Sequence, residues 1–155
     1  MALEEQLVDK LIEKGYKISF AESCTGGLCC GTLVNVTNAS KVLDMSFVTY
    51  ANEAKIKILG VQADTILSNG VVSEEVACEM AQGVCKKSGA QVGVGITGVA
   101  GPGGGTEKKP VGMVCFGFCI NGKTQTCTMQ FGEIGRNQVR KSSVEFVLKT
   151  LIDML

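Results

Sequence analysis

The sequence predicts an α/β fold in which a mixed β-sheet is covered by helices. Helix-like and strand-like segments alternate along the first hundred residues, the order that builds parallel strands joined through helices. Two later strand-like segments are joined by Asn121-Gly122, a two-residue hairpin signal that makes those strands antiparallel. Before them lies a Gly/Pro-rich loop, residues 98–110, placed where α/β proteins put binding sites, beyond a strand end. At 155 residues, with no linker-like stretch and no internal repeat, the chain is expected to form one domain over 1–155.

Taken in order, residues 4–14 set Leu7, Val8, Leu11 and Ile12 on one helical face, with Gly15 as the C-cap. "YKISFA" then reads as a short strand, and "GGLCCGTLVNV" as a buried helix rich in small residues. "KVLDMSFVTY" predicts a further strand, and "NEAKIKILG" a short helix capped by Asn52 and ended by Gly60. "SEEVACEMAQGVCKKSG" is the clearest helix. Ser73 caps it, Glu74 and Glu75 complement the positive end of its dipole, and Val76, Met80 and Val84 form the apolar stripe. "QVGVGIT" is a glycine-bearing strand that runs into the loop. "VGMVCFGFCI" and "KTQTCTMQF" form the hairpin, and a last helix from about Arg136 to Leu155 turns Val139, Val144, Val147, Leu148 and Leu151 inward.

Composition excludes several kinds of function. Fifteen basic side chains balance fifteen acidic ones without any block of like charge, which argues against nucleic acid or an anionic membrane as partner. The charged, helical start "MALEEQLVDKL" does not resemble a signal peptide, and no stretch approaches the ~20 apolar residues of a membrane span. A cytoplasmic protein is expected. Most of the eight cysteines, Cys78, Cys85, Cys115, Cys119 and Cys127 among them, sit in apolar surroundings without a CxxC pair, and read as buried free thiols. The chain has no histidine, so Ser/His/Asp and Cys/His catalysis and histidine metal ligands are ruled out. Any proton transfer must fall to Lys, Tyr, Asp or Glu, and neither a metal nor a cofactor is expected.

Three stretches could carry chemistry. In "FAESCTGG", Ser23 stands at a strand-to-helix turn, where free backbone N–H groups favour an oxyanion or a phosphate and Gly26 and Gly27 permit close approach. The plain alternative is that Ser23 or Thr25 merely caps a helix. Cys24 is either a rival nucleophile, since a thiolate at a helix N-terminus has a lowered pKa, or simply a small buried residue. In "VTYANEAK", Tyr50 ends a strand and Lys55 lies in the first helical turn, the wrong end of the dipole for a cation. A depressed pKa there suits a general base, whereas Lys57, on another face, should be an ordinary solvated lysine. In "TGVAGPGGGTEKKPVG", the glycines with Thr97 or Thr106 could wrap a phosphate or ribose, although the pattern is neither a Walker A loop nor a dinucleotide fingerprint. Arg136 and Arg140, one helical turn apart, could add a clamp for an anion.

The ordered set "AESCTGG", "FVTYANEAK", "SNGVVSEEVACEMA" and "GITGVAGPGGGTEKKPVGMV" resembles the competence-damage-inducible protein A (CinA) C-terminal domain family. The resemblance runs from the first predicted helix to the last. It implies a three-layer α/β/α sandwich and the activity of a nicotinamide-nucleotide amidase, which converts nicotinamide mononucleotide to nicotinate mononucleotide and ammonia in pyridine nucleotide salvage. Carried over by position, the family's catalytic serine, tyrosine and lysine are Ser23, Tyr50 and Lys55. In that scheme Ser23 attacks, Lys55 helped by Tyr50 moves the proton, and backbone N–H groups at Thr25, Gly26 and Gly27 hold the oxyanion. Thr97, Gly98, Gly101, Gly103, Gly104 and an arginine would hold the ribose phosphate. Family members often carry "GDR" before the last helix where this chain has "GEIGR", which leaves Arg136 and Arg140 both as candidates. The resemblance further implies a homo-oligomer. The molybdopterin-binding-like domain of two-domain members, with its pyrophosphatase activity, is expected to be missing. A noncatalytic nucleotide-binding module of the same fold is the alternative function.

Overall fold

The computed structural model describes residues 1–155. Five strands form one mixed sheet in the order β2-β1-β3-β4-β5: β1 (Ile18–Glu22), β2 (Phe47–Val48), β3 (Val92–Gly98), β4 (Met113–Ile120) and β5 (Lys123–Gln130). β1 runs parallel to β2 and β3, while β3, β4 and β5 are successively antiparallel. One face is covered by α1 (Leu3–Lys14), α2 (Leu28–Leu33) and α6 (Arg136–Met154). The opposite face carries α5 (Glu74–Ser88), with α3 (Asn52–Leu59) and α4 (Ala63–Asn69) packed beside it. No helix is long and apolar enough to cross a membrane.

The period-2 alternation of the strands decides which side chains meet which helices. Ile18 and Phe20 of β1, Val92, Val94 and Ile96 of β3, and Val114, Phe116 and Phe118 of β4 join Leu7, Leu11, Val147 and Leu151 in the larger core. On the other face β3 and β4 present Gly93, Gly95 and Gly117. A Cβ at Gly95 or Gly117 would overlap the carbonyl oxygen of Ala77, so these glycines let α5 lie directly on the sheet.

Local signals set several boundaries. Ser73 Oγ accepts from Val76 N at 3.2 Å, and Gly15, at φ 69°, ends α1 in the left-handed conformation. Asn121 and Gly122 both adopt positive φ, as a tight hairpin requires.

Four expectations are corrected. The strand expected over 41–50 shrinks to Phe47–Val48. Residues 39–41 form a 3₁₀ turn, and Val42 is buried as core filling, with Leu43 making only an isolated bridge to Ile18. The helix expected over 26–36 spans only Leu28–Leu33, because Gly26 and Gly27 sit at φ 59° and 98°. Asn52 is not an N-cap. Ala51 holds the extended capping conformation and its carbonyl accepts from Ala54 and Lys55 N–H, which makes Asn52 the first helical residue. Ile12 is 37% exposed and stands outside the core, because α1 buries a narrower stripe of Leu7, Val8 and Leu11. The thiols also divide: Cys24, Cys29, Cys115 and Cys119 are buried, whereas Cys30, Cys78, Cys85 and Cys127 are half-buried.

Candidate active site

β1 delivers its C-terminal end to the site. The Ser23 N–H still donates to Ile96 O at 3.1 Å, extending the ladder with β3 by one bond, and the chain then turns through residues 23–27 into α2. Glu22, at 1% exposure, explains the acid that ends the strand. Its carboxylate accepts from Cys29 N at 2.9 Å and Cys30 N at 3.0 Å, so the free N–H groups at the start of α2 are occupied by the protein's own anion. The N–H groups of Cys29 and Cys30 are therefore not free for a substrate anion, and the "AESC" acid is the cap of the helix that follows.

Lys55 comes from α3 and is buried at 1% exposure. Its Nζ donates to Ser23 Oγ at 3.1 Å and to Tyr50 O at 3.0 Å. Burial lowers its pKa below the ordinary lysine value. The helix position was the reason to suspect Lys55, yet desolvation is the main cause. Lys57 is exposed, as expected. Of the two readings of Cys24 the buried one fits: burial pushes its thiol up to about 11, so it is protonated near neutrality and unsuited as a nucleophile.

These groups open on a cavity of about 290 Å³, lined among others by Ser23, Tyr50, Lys55, Thr97, Val99 and Arg136. Gly98, at the end of β3, and Gly101, Gly103 and Gly104, in the loop beyond it, line the cavity as well. The lining carries two cations, Lys55 and Arg136, and no carboxylate, so the cavity suits an anionic ligand. Tyr50 ties the two cations together. Its carbonyl accepts from Lys55, while its hydroxyl, on an exposed side chain, accepts from Arg136 Nη2 at 2.9 Å. Arg136 Nη1 also donates to Gly101 O at 2.8 Å, which holds the glycine loop to α6.

Thr25, Gly26, Gly27 and Arg140 lie outside the cavity lining. Thr25 is fully buried, and Gly26 N–H is spent on Ser23 O at 3.0 Å. Thr97 does line the cavity, but its hydroxyl donates to Val71 O at 2.9 Å and so braces the wall. Sequence reasoning missed Asn52, Val71 and Val72, which also line the cavity. It missed Lys109 as well, whose Nζ donates to Asn69 O and Val72 O and straps the glycine loop to the segment before α5. The signal for Asn52 lay in "YANEAK", where it was taken for a cap. The others are fixed only by tertiary contact.

The family model for the CinA C-terminal domain matches residues 1–155. A CinA-like protein of Kosmotoga olearia is 48% identical over 147 residues, covering 95% of this chain and 35% of that protein. The chain thus spans about a third of the length of such relatives. Among solved structures, the competence/damage inducible protein CihA from Agrobacterium tumefaciens is 41% identical with a TM-score of 0.93, covering 97% of this chain and 94% of that one. A competence or damage-inducible protein from Enterobacter asburiae is 36% identical with a TM-score of 0.94, covering 98% and 95%. With the family model matched over its whole length and relatives of this identity, the chain belongs to the CinA C-terminal domain family.

Proposed function

We propose that the protein is a nicotinamide-nucleotide amidase that hydrolyses the carboxamide of nicotinamide mononucleotide with Ser23 as nucleophile and Lys55 as base. The observation that carries this reading is the 3.1 Å contact between Lys55 Nζ and Ser23 Oγ in a cavity whose only charged lining groups are cations. A buried lysine beside a serine is unneeded for binding alone, because it costs desolvation. As a proton acceptor for the hydroxyl it has a use.

In this mechanism the neutral Lys55 amine accepts the Ser23 proton as Oγ bonds to the carboxamide carbon. That proton passes to the departing nitrogen as the C–N bond breaks, which releases ammonia and leaves an ester on Ser23. Water, deprotonated by Lys55, attacks the ester carbon, and as the Oγ–C bond breaks Lys55 returns that proton to Ser23 Oγ, which frees Ser23 and nicotinate mononucleotide. Tyr50 orients the Lys55 amine through its carbonyl and Arg136 through its hydroxyl. Arg136 and the backbone of Gly101, Gly103 and Gly104 receive the ribose phosphate.

Ser23→Ala tests the assignment. Ammonia release from nicotinamide mononucleotide should disappear while calorimetric binding of the nucleotide persists; retained turnover in the variant contradicts it. The same reading makes residues 1–155 one amidase domain and the protein a cytoplasmic homo-oligomer. Exposed Val34, Met45 and Val48 offer apolar surface for assembly, and sedimentation at equilibrium would show a monomer if that part is wrong.

A further inference from the structure

We infer that Arg140 is a positioning residue for the nucleophile and takes no part in holding substrate. The inference rests on Ser23 being the attacking group. Arg140 lies on α6 one helical turn after Arg136, yet the two guanidinium groups have different tasks. Arg136 lines the cavity and reaches Tyr50 and Gly101. Arg140 lies outside the lining, and each of its three guanidinium nitrogens is engaged within the protein. Nε donates to Cys24 O at 3.1 Å, Nη2 to Thr25 O at 3.0 Å, and Nη1 to Asn137 Oδ1 at 3.3 Å.

The two carbonyls it holds belong to the residues immediately after Ser23, and they occur where the chain leaves the sheet and ladder bonds end. Upstream, Ser23 is fixed by its own N–H on Ile96 O. Downstream, Glu22 fixes Cys29 and Cys30. Between these anchors the backbone closes the turn with Gly26 N–H on Ser23 O and Leu28 N–H on Thr25 O, Cys24 O has no backbone donor, and Arg140 is the one side chain that grips the turn's carbonyls. Gly26 follows from the backbone of the turn, at a φ of 59° that disfavours any side chain; a Cβ there would only touch Arg140 Nη2, at 3.5 Å. Two bonds from one planar fork fix the orientation of two successive peptide planes. Ser23 Oγ is thereby held where Lys55 Nζ meets it, and displacement of reacting groups by about 1 Å can cost on the order of a hundredfold in rate.

The experiment compares Arg140→Gln, Arg140→Lys and Arg136→Gln with the wild type in steady-state ammonia release from nicotinamide mononucleotide, after circular dichroism has shown each folded. For Arg140→Gln, kcat should fall by about tenfold to a hundredfold with KM within about twofold. Arg140→Lys, which keeps the charge but places its donors on one nitrogen in place of the fork, should recover part of the loss. Arg136→Gln should instead raise KM. An increase in KM with unchanged kcat for Arg140→Gln, or no effect on either, overturns the inference. A second readout is the rate at which a fluorophosphonate labels Ser23. Slower labelling in Arg140→Gln supports the positioning role even if the wild type releases no ammonia, an outcome that would defeat the amidase reading alone. Equal labelling rates overturn it, as does a wild type that neither turns over nor labels.

Discussion

Lys55 Nζ stands 3.1 Å from Ser23 Oγ, although one residue rises from α3 and the other from the turn after β1. Thirty-two positions apart in sequence, they meet because the parallel pairing of β1 with β2 brings the two loops to the same end of the sheet.

Because Lys55 is buried, its folded pKa lies below the 10.5 of an exposed lysine. Between those two values the unfolded chain binds the proton and the folded chain does not, so stability rises with pH in that window. Below the folded value both states are protonated and the penalty of the buried ammonium is carried in full. Chemical denaturation should therefore show wild-type stability rising relative to Lys55→Met as pH climbs through that interval toward 10.5, whereas parallel curves would contradict a depressed pKa. Turnover should rise over the same limb as Lys55 loses its proton.

The Glu22 carboxylate carries the α2 N-terminus. Glu22→Ala leaves the buried N–H groups of Cys29 and Cys30 without an acceptor and should cost about 2–4 kcal/mol. Glu22→Gln keeps one acceptor oxygen and should cost less. Urea denaturation of both variants checks the order; equal midpoints for Glu22→Ala and the wild type would show the cap to be dispensable.

Gly95 and Gly117 admit α5 to the sheet. A methyl at either position meets the Ala77 carbonyl and should destabilise by about 1–3 kcal/mol or more, seen as a lower Tm. Gly31→Ala serves as the control, since a Cβ there meets nothing within 4 Å.

Cys24, with its thiol held near 11, should resist iodoacetamide near neutral pH, and Cys24→Ala should keep turnover. Inactivation that tracks alkylation of Cys24 would return it to candidacy as the nucleophile.

The helices with strong caps and stripes were legible in the sequence. Ser73 with Val76, Met80 and Val84 marks α5, and Asn121-Gly122 marks the hairpin, because both signals are local. The strand at 41–50 was overread because Val42 and Leu43 are apolar for the sake of the core, with no ladder to join. α4 was missed because it buries no residue and so has no stripe. Glu79, accepting from Gln62 N and Thr65 Oγ1, holds it from outside. At the site, Ser23, Tyr50 and Lys55 stood out through motif and chemistry. The burial that shifts Lys55, and the split between Arg136 and Arg140, depend on what packs against them in three dimensions. Two arginines four residues apart share a helix face, so spacing alone does not assign them.

The central claim is tested most directly by ammonia release from nicotinamide mononucleotide with chelator-treated protein, the wild type beside Lys55→Ala. Release by the wild type and a loss of about a hundredfold or more in the variant are expected. A wild type without turnover, or a variant that matches it, would contradict the pairing of Ser23 with Lys55 as an amidase centre.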